Sequence, residues 1–453
     1  MKNKISIGIM LTLLLVSIAT LAFNIQPAKA FETIYIQADG SVFPSTAPIQ
    51  QDGDVYTFTD NIYDSIWVMR DNIVIDGAGY MLQGTTSIIQ GIRLYGRTNV
   101  TVQNMQIKDF QNGIVLDGYS NNTSISKNSI TNTNNGIWLK YSSSSNISGN
   151  NIANNSYNIR LEYSSRNNIS GNTITNYRGI YLYNSSNNSI GGNAIATIYY
   201  GIWLYYYASF NSISGNNITA NNDAGIVLSD SSNNNRINGN NIANNGQGIS
   251  LISSSNNKIY HNNFMGNPQQ VYSLSSINTW DDGYPSGGNY WSDYTGIDSN
   301  CDGIGDSLYE IASGNIDHYP LIGMFAEFKV ASEYHVQTIC NSTISDFQFD
   351  GTAIRFNVSG ENGTSGFCRI CIPTALMNGT YRVFVNGTEV SCNFLSCSNS
   401  TYSYLYFNYV HSTQEVIIIP EFPSFLILSL FIMTALLVAI LCRRKQKPFQ
   451  KIL

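Results

Sequence analysis

The sequence predicts an all-β chain: a parallel β-helix of about nine coils, then a small β-sandwich, then one C-terminal transmembrane helix. Three observations predict it. The tetrad Gly-Ile-x-Leu, or a near variant, recurs with its isoleucine at Ile92, Ile114, Ile137, Ile159, Ile180, Ile202, Ile226 and Ile249, in steps of 22, 23, 22, 21, 22, 24 and 23 residues. A second element, Ile-x-x-Asn-x-Ile, keeps the same step and carries Asn128, Asn150, Asn172, Asn193, Asn216, Asn240 and Asn262. An apolar run from Phe425 to Leu441 precedes Arg443, Arg444, Lys445 and Lys447.

A fixed period in this range means stacked repeats, none of which buries its apolar face alone. Each apolar run is short, alternates with polar residues and is bounded by Ser, Asn and Gly, which is strand patterning. Strands without a crossover helix close most naturally as a parallel β-helix. A leucine-rich repeat shares the period but needs a longer Leu-rich consensus. The recurring Asn suits a ladder, because Asn tolerates left-handed backbone and stacked amides bond from coil to coil.

In chain order, residues 1–30 read as a secretory signal: Lys2 and Lys4, an apolar run from Ile5 to Phe23, and Ala28-Lys29-Ala30 as the cleavage site. Residues 31–70 lack the repeat and are expected to form an N-terminal cap over the exposed coil end. Residues 71–270 hold the coils, opening on Asp71-Asn-Ile-Val-Ile-Asp-Gly-Ala-Gly-Tyr80.

Within Gly-Ile-x-Leu-x, Ile and Leu point inward and both x positions outward. Stacking collects Trp138, Arg160, Tyr181 and Trp203 in one outward column, with Lys140, Glu162, Tyr183 and Tyr205 beside them. Aromatic faces flanked by polar groups suit sugar rings. Aromatics and charges also make good rungs on any exposed sheet, so these eight residues are a candidate carbohydrate-binding face against that plainer reading. Acids are scarce in the repeat. On this column Asp117 and Glu162 stand two coils apart, roughly 10 Å, which is wide for a retaining carboxylate pair and marginal for an inverting one. No catalytic residue is assigned.

The Ile-Asp-Gly-Ala-Gly opening, the Gly-Ile-x-Leu and Asn-x-Ile coils, and Gly288-Asn-Tyr-Trp-Ser-Asp293 together resemble the NosD-type right-handed β-helix proteins, especially archaeal surface versions. The resemblance covers about Phe31 to Leu321. It implies a right-handed coil and a chemistry related to carbohydrate-binding and sugar-hydrolase β-helices. The copper delivery for which the family is named would need clustered His, Met or Cys, and His261 and Met265 stand nearly alone.

Residues 271–322 form the expected C-terminal cap. Its Asp298, Asn300, Asp302, Ile304 carbonyl and Asp306 fall at positions 1, 3, 5, 7 and 9 of an EF-hand-like loop with Gly303 at 6. Tyr309 replaces the expected bidentate Glu at position 12, so the loop is closer to the shortened extracellular kind. Calcium is the expected ion, pinning the cap; an Asp/Gly turn is the alternative.

Residues 323–419 lose the period and show short alternating strands with Asn-Gly turns, hence a β-sandwich serving as spacer or interaction module. Cys392 and Cys397 are the expected disulfide among its five cysteines. Asn-x-Ser/Thr sites there, among them Asn341, Asn357 and Asn378, are expected glycan acceptors.

Residues 420–442 hold Pro-Glu-Phe-Pro and the expected membrane span, and 443–453 a basic cytoplasmic tail. The order resembles the PEF-CTERM sorting signal of archaea, which implies processing by an archaeosortase; a permanent anchor is the alternative. With 11% charged residues, a net charge of −6 and no basic patch, nucleic acid is not expected as a partner. The sequence thus predicts a cell-surface protein whose partners are the membrane and an extracellular glycan or envelope component. It binds carbohydrate or serves structurally or adhesively, with a polysaccharide lyase or glycoside hydrolase as the rival.

Overall fold

The computed structural model describes residues 33–85, 89–331, 333–421 and 433–441. The chain divides into two compact units, one up to Arg160 and one from Leu161.

In the first unit each coil contributes a strand to three parallel sheets. The first sheet takes Ile34–Ile36, Ile66–Val68, Gln90–Tyr95, Asn112–Asp117 and Asn135–Lys140 in turn. Their register aligns Ile66, Ile92, Ile114 and Ile137 in one inward column and Val68, Leu94, Leu116 and Leu139 in the next. All eight are buried. The second sheet runs from the hairpin Ile49–Asp52 and Val55–Phe58 to Asn146–Ser148, and the third from Met81–Gln83 to Asn151–Ala153. The tetrad glycines are set by close approach. A Cβ on Gly113 would lie 2.5 Å from the Gly136 carbonyl oxygen, closer than any side chain tolerates.

The second unit continues the pattern and ends it. Its coils reach Gln269–Leu274, Lys258–Tyr260 and Asn263–Met265, the last pairing with Tyr290–Trp291. There the Asn amides form unbroken ladders. Asn172 donates its backbone N–H and its Nδ2 to Asn193 Oδ1, both at 3.0 Å, and Asn193, Asn216 and Asn240 repeat this toward Asn216, Asn240 and Asn262. The residue before each ladder Asn is left-handed: Gly171, Gly192, Gly215, Gly239 and, at the end, His261.

The helix has about ten turns rather than nine. The extra turn comes from the expected cap, since Ile34–Ile36 pairs in parallel with Ile66–Val68, which in turn pairs in parallel with Gln90–Tyr95.

Beyond the coils, Trp291 stacks on Phe264 at 4.3 Å and on Tyr309 at 4.5 Å, sealing the last apolar face. Two five-stranded antiparallel sheets follow. One is ordered Met324–Lys329, His335–Cys340, Ser365–Pro373, Tyr402–Val410, Cys392–Phe394; the other Thr343–Phe349, Ile354–Ser359, Gln414–Pro420, Tyr381–Val385, Thr388–Val390. They share a core of Val336, Ile354, Phe356, Ile370, Val383, Leu405, Phe407 and Ile418. This sandwich is docked on the last coil: Asn263 exchanges hydrogen bonds with the Phe325 backbone at 2.8 and 2.9 Å, and His261 stacks on the Phe325 ring at 4.0 Å.

The expected transmembrane helix is corrected. Among the described residues the C-terminal run holds only a helix over 433–441, and no helix is long and apolar enough to cross a membrane. The signal segment 1–30, Phe422 and Pro423 of the Pro-Glu-Phe-Pro motif, and the basic tail 443–453 lie outside the described residues.

Candidate carbohydrate-binding faces

Strand alternation places the predicted residues in two groups. In the first unit the outward register runs Tyr35, Trp67, Arg93, Val115, Trp138. The Trp138 ring is flanked by two cations, Lys140 Nζ at 5.7 Å and the Arg160 guanidinium at 5.2 Å from its centre. Arg160 also lies 5.1 Å from the Tyr157 ring and donates to Asn135 Oδ1 at 3.4 Å, which holds it in place. Trp138 Nε1 is buried with no hydrogen-bond partner among the described residues, so the half-buried indole has a donor left over.

In the second unit Trp203 sits at the centre of a ring cluster. Tyr181 meets it edge-on at 5.1 Å, Tyr200 lies at 5.2 Å and Tyr205 at 5.3 Å. Its Nε1 donates to Ser229 Oγ at 3.1 Å. Tyr183 contacts Tyr205 at 5.7 Å and stacks flat on Tyr206 at 5.4 Å, and Tyr206 meets Tyr207 edge-on. Glu162 stands at the start of this unit, half-buried. Tyr181 is only 8% exposed, so it supports the face from beneath rather than presenting a surface.

Tyr206 and Tyr207, both exposed, extend the face beyond the tetrad register. Sequence reasoning restricted to Gly-Ile-x-Leu-x missed them, as it missed Tyr35 and Trp67, whose strands lack the tetrad. The available signal was the aromatic run Tyr205-Tyr206-Tyr207. Tyr206 and Tyr207 have φ of 52° and 59°, an uncommon conformation for bulky residues, and the Tyr206 ring lies against Tyr183.

The predicted calcium loop is a compact turn. Asp298 accepts from the backbone N–H groups of Asp302 at 3.0 Å and Gly303 at 2.8 Å, and Asp306 Oδ2 accepts from Ser299 N at 2.9 Å. Asn300 Nδ2 donates to Asp302 Oδ2, whose companion oxygen accepts from the Ile304 N–H. Burial, and then the nearby charges of Asp302 and Asp306, hold the Asp298 carboxyl above its ordinary pKa. Among the described residues no group of three or more His, Cys, Asp or Glu side chains is placed to hold a metal ion. An ion here therefore needs the Asn300 amide and the Ile304 carbonyl as well.

The expected disulfide is not formed: Cys392 and Cys397 are both free thiols. Strand pairing sets Cys392 opposite Phe407, whereas Cys340 faces Cys368 directly across two neighbouring strands. Ser286, His261 and Asp282 also meet in the cap, with Ser286 Oγ 3.3 Å from His261 Nε2 and donating to Asp282 Oδ2 at 2.8 Å. The carboxylate holds the hydroxyl rather than the imidazole, and burial pushes the His261 pKa down to about 4. The order needed to activate a serine nucleophile is absent from this trio.

A family model described as a right handed beta helix region matches residues 49–209 and 125–264. No curated protein matches the chain. Among solved structures it is similar to DFA-IIIase from Arthrobacter chlorophenolicus A6 in complex with GF2, at 15% identity and a TM-score of 0.34, covering 53% of this chain and 64% of that one. The same enzyme without that ligand gives 13% identity and a TM-score of 0.36 over 49% and 60%. The Dettilon tailspike protein gives 16% identity and a TM-score of 0.30 over 78% and 87%.

Proposed function

We propose that this parallel β-helix protein is exported and binds carbohydrate outside the cell through its outward aromatic faces. The observation that carries the reading is the cluster around Trp203. Three neighbouring rings and the Ser229 hydroxyl fix the indole before any ligand arrives. A platform held in this way loses little side-chain entropy on binding, which is what a weakly interacting sugar face requires. The Trp138 group adds a second platform with two cations at its rim.

Calcium belongs to the same reading as a structural ion of the cap, taken by Asp298, Asn300, Asp302, Asp306 and the Ile304 carbonyl. Three carboxylates in one short loop repel one another, and a divalent cation would relieve that.

A glycan array with product analysis tests the binding function. Glycans should be retained intact by the wild-type chain and lost by about tenfold or more in Trp203→Ala, since a sugar–aromatic contact of this kind contributes on the order of 1–2 kcal/mol. Released oligosaccharides would replace the binding reading with a lyase or hydrolase. Silence across the array would leave a structural role.

A further inference from the structure

We propose that the cleft at the start of the first unit's outward face is a subsite for an acidic sugar, one that carries a carboxylate. This rests on the carbohydrate reading above and adds a charge preference and a location to it. The cleft has a volume of about 600 Å³ and is lined by Tyr35, Trp67, Met69, Arg93, Tyr95 and Arg97. That size and a mainly apolar wall with a few polar groups are what small-ligand sites have.

Its centre is Arg93. The guanidinium lies 4.7 Å from the centre of the Trp67 ring and 5.4 Å from that of Tyr95, so two aromatic faces fix its plane. Trp67 is itself braced edge-on by Tyr35 at 5.8 Å. Arg93 Nε is shielded from solvent with no partner, and among the described residues Arg93 forms no ion pair. Arg97 differs. It donates from Nε to the Tyr95 carbonyl at 3.1 Å and from Nη1 to the Met69 carbonyl at 3.0 Å, and Asp71 lies 3.6 Å away. Arg97 shapes the wall and its charge is met; Arg93 is the cation left without a counter-charge.

A rung that only packs between Trp67 and Val115 has no need of a guanidinium. An oriented one, with its donors unclaimed beside an indole that is 36% exposed, matches a ligand offering two things: a flat face of C–H groups and a planar anion beside it. A uronic acid residue has both. Its ring covers Trp67 while the carboxylate meets the Arg93 fork. One uncompensated cation suits a single negative charge better than a phosphate dianion.

The test is calorimetric titration of the full chain, at low salt, with a galacturonic acid trimer, its methyl ester and the neutral galactose trimer. The acid trimer should bind about tenfold or more tightly than the ester, which keeps the shape and loses the charge. Arg93→Gln should erase that preference, and Trp67→Ala should weaken both. Equal binding of acid and ester by the wild-type chain would overturn the subsite, as would an unchanged preference in Arg93→Gln. Should Arg93→Gln fail to fold, the wild-type chain still decides: acid-trimer affinity must fall to the ester's value as the sugar carboxylate takes up its proton below about pH 4. Loss of array hits in Trp203→Ala without any acid preference would sink the subsite alone. Retention of no glycan anywhere would sink the carbohydrate reading and the subsite with it.

Discussion

Asp317 shows what a single residue is asked to do in this fold. It is fully buried, and its Oδ2 accepts from Asn289 N at 2.8 Å and Trp291 Nε1 at 2.9 Å. Burial outweighs these donors and pushes its pKa up to about 7. Its folded value therefore lies above the unfolded one near 3.8, so the folded state binds more protons between those limits and stability falls as pH rises toward and past 7. His261, with its pKa lowered to about 4 by burial, works in the opposite sense, losing stability as pH drops below about 6.5. Comparing variants separates the two. The melting temperature of Asp317→Asn, relative to wild type, should be higher at pH 8 than at pH 5, because only the wild type carries a buried charge at pH 8. A difference that does not move with pH would place the Asp317 titration outside this range.

Among elements, the Asn ladders carry the stacking. Asn216 accepts from the Asn193 backbone and side chain, and donates to Ile190 O at 2.9 Å and to Asn240 Oδ1 at 2.9 Å. A second ladder, Asn188, Asn211, Asn235, Asn257, Asn278, runs beside it in the same sense. Asn216→Ala should leave several buried partners unpaired and lower stability by at least about 1–3 kcal/mol in urea unfolding. A loss below about 0.5 kcal/mol would mean that water takes over the amide's role.

The first ladder was legible in the sequence because each Asn follows its isoleucine by three residues. The second was hidden among many Asn and Ser residues of similar spacing, where only the fold decides which amide turns inward. Trp67 was missed for a related reason. Ile66-Trp-Val has the alternation of a coil strand but neither the glycine nor the period that marks the others. Propensity alone left it in the cap.

For the molecule as a whole, architecture was more legible than attachment. Periodicity determined the coils, and alternating strands with Asn-Gly turns foretold the paired antiparallel sheets. What no local pattern could disclose was that the sandwich packs on the final coil through Asn263 and Phe325, since that contact joins residues 62 positions apart. The proposed calcium loop lies beside this junction, with Ile304 sharing a small core with Phe325, Ile339 and Phe367. Removing calcium with a chelator should therefore lower the melting temperature of the junction, and Asp298→Asn should reproduce the drop without chelator. Identical melting in both conditions would return the loop to a plain Asp/Gly turn.

The ladders have a direction, and it bears on ancestry. Each amide of this ladder hands one Nδ2 proton and its backbone N–H to the coil that follows, and the series Asn240, Asn262, Asn289 closes on Asp317, a terminal acceptor with no further coil to serve. Every interior coil presents the same donors behind and the same acceptor ahead. Excising residues 213–236 would bring Asn193 against Asn240 with the same pairing on either side of the cut. Copy number can thus drift by tandem duplication or loss while both ends stay intact, so that natural selection can adjust the reach of the aromatic face one coil at a time.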